Sequence, residues 1–310
     1  MLVSIVTPFF NEQDNVETLH AELNTVLAAI DAEFELIWID DGSRDETWAR
    51  IEACRARDPR ILGLRLSRNF GKEAALSAGI DYARGDAVIL MDGDLQHPPD
   101  MIPKLTGKLA EGYDMVYAAR DGRKHDGAAR SLLSRLFYFI WENFADTKIP
   151  ADSGDFRIMN RKAADALKSL RERNRFMKGL YAWVGFEQTA IPYEVQPRRA
   201  NKSAWSLRTL MSYARLAFIS FSAIPLRIWT SIGAIIALAS IGYALYIIGE
   251  TFIRGRDVPG YATTITAIFF LGGVQLFSIG VLGEYLASVF DEVKSRPLYI
   301  VSEKRGGGRE

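Results

Sequence analysis

The sequence predicts an α/β domain on a mostly parallel sheet, followed by two helices that cross a membrane. Apolar strand-like runs alternate with amphipathic segments through the first 118 residues, the signature of a parallel sheet covered by helices. Acidic pairs fall at the ends of two of those strands, Asp40-Asp41 and Asp92-Gly93-Asp94. Farther on, Ile228 to Gly249 and Val258 to Gly283 carry no charged side chain, and these runs of 22 and 26 residues exceed the roughly 18–20 needed to span a bilayer as helix.

The elements follow in order. Leu2 to Pro8 reads as a buried strand, followed by an amphipathic helix near Asn15 to Ala29. Phe34 to Ile39 is the second strand and Glu46 to Ala56 the next helix. Ile61 to Leu66 is the third strand, Lys72 to Ala83 a helix, and Ala87 to Met91 the fourth strand. A helix after Pro98 and a strand over Met115 to Ala118 continue the rhythm. Ligands of such sheets bind beyond the carboxyl ends of the strands, and Asp40, Asp41, Asp92 and Asp94 all sit there.

The chain's 310 residues exceed the roughly 150 of a typical domain, and the charge pattern places the divisions. We expect a catalytic domain over 1–197, a basic juxtamembrane segment over 198–227, two spans over 228–290 and a cytoplasmic tail over 291–310. The juxtamembrane segment holds Arg198, Arg199, Lys202, Arg208, Arg215 and Arg227 and no acidic residue. Within it Ser206 to Phe221 is amphipathic at helical spacing, as in a helix lying in an anionic interface. The short loop between the spans forces a hairpin, and Lys294, Arg296, Lys304 and Arg305 follow it. The positive-inside bias therefore puts the catalytic domain and C-terminus in the cytoplasm, at the inner membrane.

Other classes are thinned by composition. Basic and acidic residues balance at 38 each, which gives no reason to expect nucleic acid. Cys54 is the single cysteine, so neither an intrachain disulfide nor a cysteine zinc site can form, as suits a reducing cytosol. Met1 to Asn11 has no basic leader or small-residue cleavage site and reads as strand.

Two carboxylates flanking a glycine at a strand end suit a hard divalent cation shared with substrate phosphates, with the glycine allowing close approach. Alone, that triplet is also what an acidic turn looks like. Its company is more specific. Thr7-Pro8-Phe9-Phe10-Asn11-Glu12, Asp40-Asp41-Gly42-Ser43, Ser67-Arg68-Asn69-Phe70-Gly71-Lys72 and Met91-Asp92-Gly93-Asp94-Leu95-Gln96-His97-Pro98-Pro99 stand in the order and spacing of glycosyltransferase family 2, which the chain resembles. Ala151-Asp152-Ser153-Gly154-Asp155-Phe156-Arg157, with a two-helix tail, is similar to the polyprenyl-phosphate branch, which includes dolichol-phosphate mannose synthase and bactoprenol glucosyltransferases.

The resemblance implies a GT-A fold, a nucleotide-sugar donor, Mg2+ or Mn2+ and inversion at the anomeric carbon. Pro8, Asn11, Glu12, Asp40 and Asp41 would line the nucleoside pocket. Lys72 would face the donor diphosphate, where its charge and a helix N-terminus act together. Asp92 would lie near the sugar and phosphates, and Asp94 would be the main metal ligand. His97 reads equally as a supporting group or as a turn residue. Asp155 and Asp152 match the position of a catalytic carboxylate near the acceptor, with a cap at Gly154 as the structural alternative. Arg120, Arg130, Arg135, Arg199 and Lys202 are candidates for the acceptor phosphate, a task that suits arginine.

The expected reaction is transfer of a hexose, with UDP-glucose the preferred donor, to a polyprenyl phosphate at the cytoplasmic face. Mannose, GlcNAc or aminoarabinose are the other donors considered, and the hairpin supports an expectation of homo-oligomers. Rival classes fit less well. A processive synthase needs more spans and a Gln-x-x-Arg-Trp motif that is missing. A non-catalytic sensor has no need of Asp92 and Asp94. A channel or flippase wants charge mid-span, whereas Glu250 and Glu284 lie toward the span ends.

Overall fold

The computed structural model describes residues 1–120, 141, 149, 153–193, 224–254 and 260–307. Its first half is the expected alternation: β1 (Leu2–Phe9), α1 (Gln13–Leu27), β2 (Glu33–Asp40), α2 (Thr47–Arg57), β3 (Ile61–Leu66), α3 (Lys72–Tyr82) and β4 (Ala87–Leu90). A short 3-10 turn leads into α4 (Ile102–Ala110), and β5 (Met115–Arg120) follows. Beyond it come β6 (Ser153–Asn160), α5 (Arg161–Ser169), α6 (Met177–Trp183) and β7 (Gln188–Tyr193). Two long helices, α7 (Ile224–Arg254) and α8 (Tyr261–Val293), precede a last strand, β8 (Val301–Arg305).

Among the described residues the strands form one sheet in the order β7-β5-β6-β4-β1-β2-β3-β8. Its centre, β4-β1-β2-β3, is parallel. β6 enters antiparallel between β4 and β5, so β5 keeps the parallel direction without pairing with β4. The sequence pattern did not reveal β6, because its apolar alternation is confined to Phe156, Ile158 and Met159.

Alternate residues of each strand feed opposite faces. Leu36 and Trp38 join Val3, Ile5, Ile89 and Ile158 in the core that includes Val16, Leu19 and Leu23 of α1. Ile37 and Ile39 join Val6, Leu64, Leu90 and Met159 on the other face, with Leu76 of α3 and Leu180 of α6. α3 is rich in small residues for a reason visible at Gly79, where an added Cβ would lie 2.1 Å from Val6 Cγ1 and 2.9 Å from Ile39 Cδ1. The helix rides directly on the sheet, and this close approach brings its first residue, Lys72, over the strand ends.

The apolar helices behave differently. Ser231–Ile253 and Thr266–Val293 are long and apolar enough to cross a membrane, and neither is buried against the rest of the chain. Large side chains such as Leu238, Phe269, Phe270 and Leu276 are exposed. Trp229 packs on Phe277 with ring centroids 4.9 Å apart. An outward apolar surface of this kind fits a lipid environment. The amphipathic segment expected over Ser206 to Phe221 lies outside the described residues.

The tail expected over 291–310 does not simply trail away. β8 adds to the sheet antiparallel to β3, with Arg65 opposite Glu303 and Leu66 opposite Val301. Overpacking tests the core argument: Gly79→Ala should lower stability by about 1–3 kcal/mol, the usual cost of forcing a methyl into a filled core. Thermal unfolding of the full chain in detergent reads it, and an unchanged midpoint would contradict the close approach of α3 to β1.

Candidate active site

The carboxyl ends of β4, β1 and β2 lie side by side at the centre of the sheet, and hydrogen bonds from their loops knit them together. Asp41 N donates to Phe9 O at 2.9 Å. Asn11, in the left-handed region at φ 54°, donates from its backbone N to Ser43 Oγ at 2.9 Å and accepts at Oδ1 from Arg44 N at 2.9 Å. Glu12 N donates to Thr47 Oγ1. Pro8 is half-buried and Phe10 and Asn11 are exposed, so this loop faces outward.

Asp40, the last residue of β2, and Asp41 just after it are both buried. Asp40 is wholly buried, and its Oδ1 accepts from Ser43 N at 3.0 Å. Asp41 accepts from Phe70 N at 2.7 Å and from Gly71 N at 2.9 Å, which ties the loop before α3 to the end of β2. Direct contact with a nucleoside was the expectation. As placed, Asp40 Oδ1 and both Asp41 oxygens hold backbone amides. Burial pushes the Asp41 carboxyl up to about 6, against the pull of the Phe70 and Gly71 amides.

Lys72 is the centre. Its Nζ lies 2.6 Å from Asp92 Oδ1 and 2.7 Å from Asp155 Oδ2. One ammonium thus joins the start of α3, the loop after β4 and strand β6. Burial opposes its charge, yet Asp155 and Asp92 outweigh that and hold the amine well above its ordinary value. The converse holds for Asp155: burial favours its neutral form, but Lys72, with Lys178 and Arg157, keeps the carboxyl well below the usual carboxylate range. Asp155 is therefore ionised near neutral pH.

Behind Asp155, Arg157 is 1% exposed, donates from Nη2 to Gly154 O at 2.8 Å and lies 3.5 Å over the Tyr181 ring. Gly154 is strand, with no backbone conformation reserved for glycine, so the cap reading is set aside. Sequence reasoning missed Arg157 and Tyr181; an arginine two residues from Asp155 shares its face of the strand, and that period-2 relation was the available signal.

The Asp92-Gly93-Asp94 loop is shaped by packing. A Cβ on Gly93 would meet the Phe9 ring at 2.6 Å and Pro8 O at 3.1 Å, so the glycine fits β1 against this loop. Its role is internal contact, in addition to any approach of a phosphate. His97, 3% exposed, accepts at Nδ1 from Asp92 N at 2.9 Å and stacks on Phe156 with centroids 4.8 Å apart. Burial lowers its pKa, in keeping with a ring nitrogen that accepts. The histidine pins the loop to β6.

Asp94 is half-buried and accepts at Oδ1 from Gln96 N at 3.1 Å. Among the described residues no three His, Cys, Asp or Glu side chains form a metal cage. Two carboxylates on one loop nevertheless match the way Mg2+ binds, through one or two carboxylates with substrate phosphates and water completing the shell. The donor set fits a hard divalent cation.

Arg120 ends β5, in register with Tyr193 of β7. Asp152, Arg130, Arg135, Arg199 and Lys202 lie outside the described residues, as does the Arg120 side chain.

Known proteins match along the whole length. The model of Glycosyl transferase family 2 matches residues 4–168, and that of the GtrB C-terminal hairpin matches residues 224–289. An uncharacterized glycosyltransferase of Synechocystis sp. is 48% identical over 304 residues, 98% of this chain and 96% of that one. A putative glycosyltransferase of Bacillus subtilis is 41% identical over 302 residues, 97% of this chain and 92% of its own. A prophage-derived bactoprenol glucosyl transferase of Shigella flexneri is 41% identical over 307 residues, 99% of each chain.

The Asp41 staple has a pH signature. With its carboxyl at about 6 in the fold against 3.8 unfolded, the folded chain binds the proton more tightly. Ionising Asp41 therefore costs stability as pH rises from about 4 to about 6, and the cost stays constant above that. Asp41→Asn should flatten that slope in thermal unfolding measured across the window; an identical slope in parent and variant would contradict it.

Proposed function

The chain belongs to glycosyl transferase family 2, and on that premise we propose that it transfers glucose from UDP-glucose to a polyprenyl phosphate of the bactoprenol type. The observation that carries this reading is the 41% identity with a bactoprenol glucosyl transferase across 99% of both chains, apolar hairpin included. An enzyme for a soluble acceptor has no need of that hairpin. Its apolar faces and basic flanks support a place in the cytoplasmic membrane, with residues 1–197 and the C-terminus on the cytoplasmic side.

The chemistry follows from charge. A phosphate monoester has a second pKa near 6, so the acceptor is largely a dianion at neutral pH and needs no strong base. Its oxygen attacks the anomeric carbon as the bond to the donor's β-phosphate breaks, and that electron pair leaves with UDP. The new bond forms on the opposite face, which inverts the centre.

Within this reading Lys72 supplies positive charge to the leaving diphosphate, reinforced by the N-terminus of α3. Asp155, kept ionised, accepts from a sugar hydroxyl and positions the ring; Asp152 is the neighbouring candidate. Asp92 and Asp94 hold Mg2+ or Mn2+, which when bound supplies further charge against the diphosphate. Pro8, Asn11 and Glu12 border the nucleoside, Phe10 offers an exposed ring to the base, and Asp40 and Asp41 shape the wall. Arg120, Arg130, Arg135, Arg199 and Lys202 are assigned to the acceptor phosphate.

The test mixes purified full chain with undecaprenyl phosphate, Mg2+ and one radiolabelled donor at a time: UDP-glucose, UDP-GlcNAc or GDP-mannose. The expected result is label in the organic phase from UDP-glucose, abolished by chelation and reduced at least about 100-fold in Asp94→Ala, as for loss of a charge-stabilising group. Label from another sugar would overturn the donor assignment. Absence of label from all three would overturn the reaction.

A further inference from the structure

The chain leaves the apolar hairpin and returns at once to the catalytic sheet, and the return path is fastened at several points. Near the end of α8, Ser288 Oγ accepts from Asn174 Nδ2 at 2.7 Å, and Glu292 Oε2 accepts from Arg173 N at 3.0 Å. Tyr299 donates from its hydroxyl to Asp81 Oδ2 of α3 at 2.8 Å, and Ile300 O accepts from Ser67 N at 2.9 Å. β8 then runs beside β3.

That pairing sets Glu303 opposite Arg65. Arg65 Nη1 donates to Glu303 Oε1 at 3.0 Å, while Arg65 Nε lies 3.5 Å from Asp40 Oδ2. Asp40 Oδ2 is buried and accepts no hydrogen bond among the described residues, so the guanidinium is the countercharge for a carboxylate shut away from water. The other oxygen holds Ser43 N, and Ser43 Oγ holds Asn11 N. Contacts therefore run without a gap from the strand after the hairpin, through Arg65, Asp40 and Ser43, to the Asn11–Glu12 loop.

We propose that Glu303 and Arg65 are positioning residues for donor binding: β8 keeps Arg65 over Asp40 and thereby sets the loop that borders the nucleoside. This rests on the reading of that loop as part of the donor pocket. Glu303 touches no substrate. It prevents Arg65 from swinging into water, and Arg65 keeps Asp40 turned toward Ser43. The segment that follows the membrane hairpin is in this way part of the nucleotide site, although it lies at the far end of the sequence.

The test titrates UDP-glucose into the full chain in detergent by calorimetry and measures separate KM values for donor and acceptor. Glu303→Gln should raise the donor Kd and KM roughly two- to fivefold, the range that a partly exposed ion pair supports. Arg65→Met should raise them about tenfold or more, because it strands a buried carboxylate. Acceptor KM and kcat should hold, and Ser302→Ala, which removes a hydrogen bond from β8 to Arg65 O but no charge, should bind donor normally. If Arg65→Met does not fold, the milder Glu303→Gln decides. Parent-like donor affinity in Glu303→Gln, with weakened binding in Asp40→Asn, would overturn the relay while leaving the donor pocket intact. Unchanged affinity in Asp40→Asn as well would overturn the pocket assignment itself. A fall in kcat with parallel losses for donor and acceptor would mark general damage and overturn the proposal.

Discussion

The site depends on one ammonium held between two carboxylates. Lys72 Nζ reaches Asp92 and Asp155 at hydrogen-bonding distance, and these residues come from three separate pieces of chain. Two carboxylates placed so close repel each other and are costly to bury; the lysine's charge offsets both penalties. The arrangement fixes protonation as well as position, since an Asp155 paired with Lys72 stays ionised and Lys72 stays charged. In the proposed reaction this leaves Asp155 as a positioning anion and the lysine as a source of charge for the leaving group.

The fold supplies what this contact requires. Small residues let α3 lie against β1 and β2, which delivers Lys72 to the strand ends. Insertion of β6 beside β4 brings Asp155 next to the Asp92 loop, and Ile89↔Ile158 and Leu90↔Arg157 define the register. A slip of one residue would turn Asp155 to the opposite face of the sheet. His97 and Phe9 lock the loop itself, one through a hydrogen bond and a ring stack, the other by filling the space beside Gly93.

Much of this was legible beforehand, for physical reasons. Buried parallel strands leave apolar runs, so β1 to β5 were readable to within a few residues, and the carboxylates at their ends marked the site. The hairpin announced itself by the absence of charge. β6 was hidden because its polar residues, Asp155 and Arg157, point into the site and interrupt the apolar pattern. β8 was hidden because an edge strand needs little apolar surface; only Val301 is apolar, and the pairing relies on backbone bonds and the Arg65–Glu303 contact. Motif spacing marked Asp40 and Asp41, but not that Asp40 Oδ1 holds Ser43 N while both Asp41 oxygens hold Phe70 N and Gly71 N. Motif spacing names residues; it does not say which way they face.

A double-mutant cycle on Lys72→Met and Asp155→Asn, read by thermal unfolding in detergent, measures the Lys72–Asp155 interaction by itself. If the ammonium and the carboxylate stabilise each other, removing both costs less than the two single losses combined, with a coupling of about 1–3 kcal/mol. Losses that simply add would show that Lys72 and Asp155 do not stabilise each other and that the site is held by other contacts.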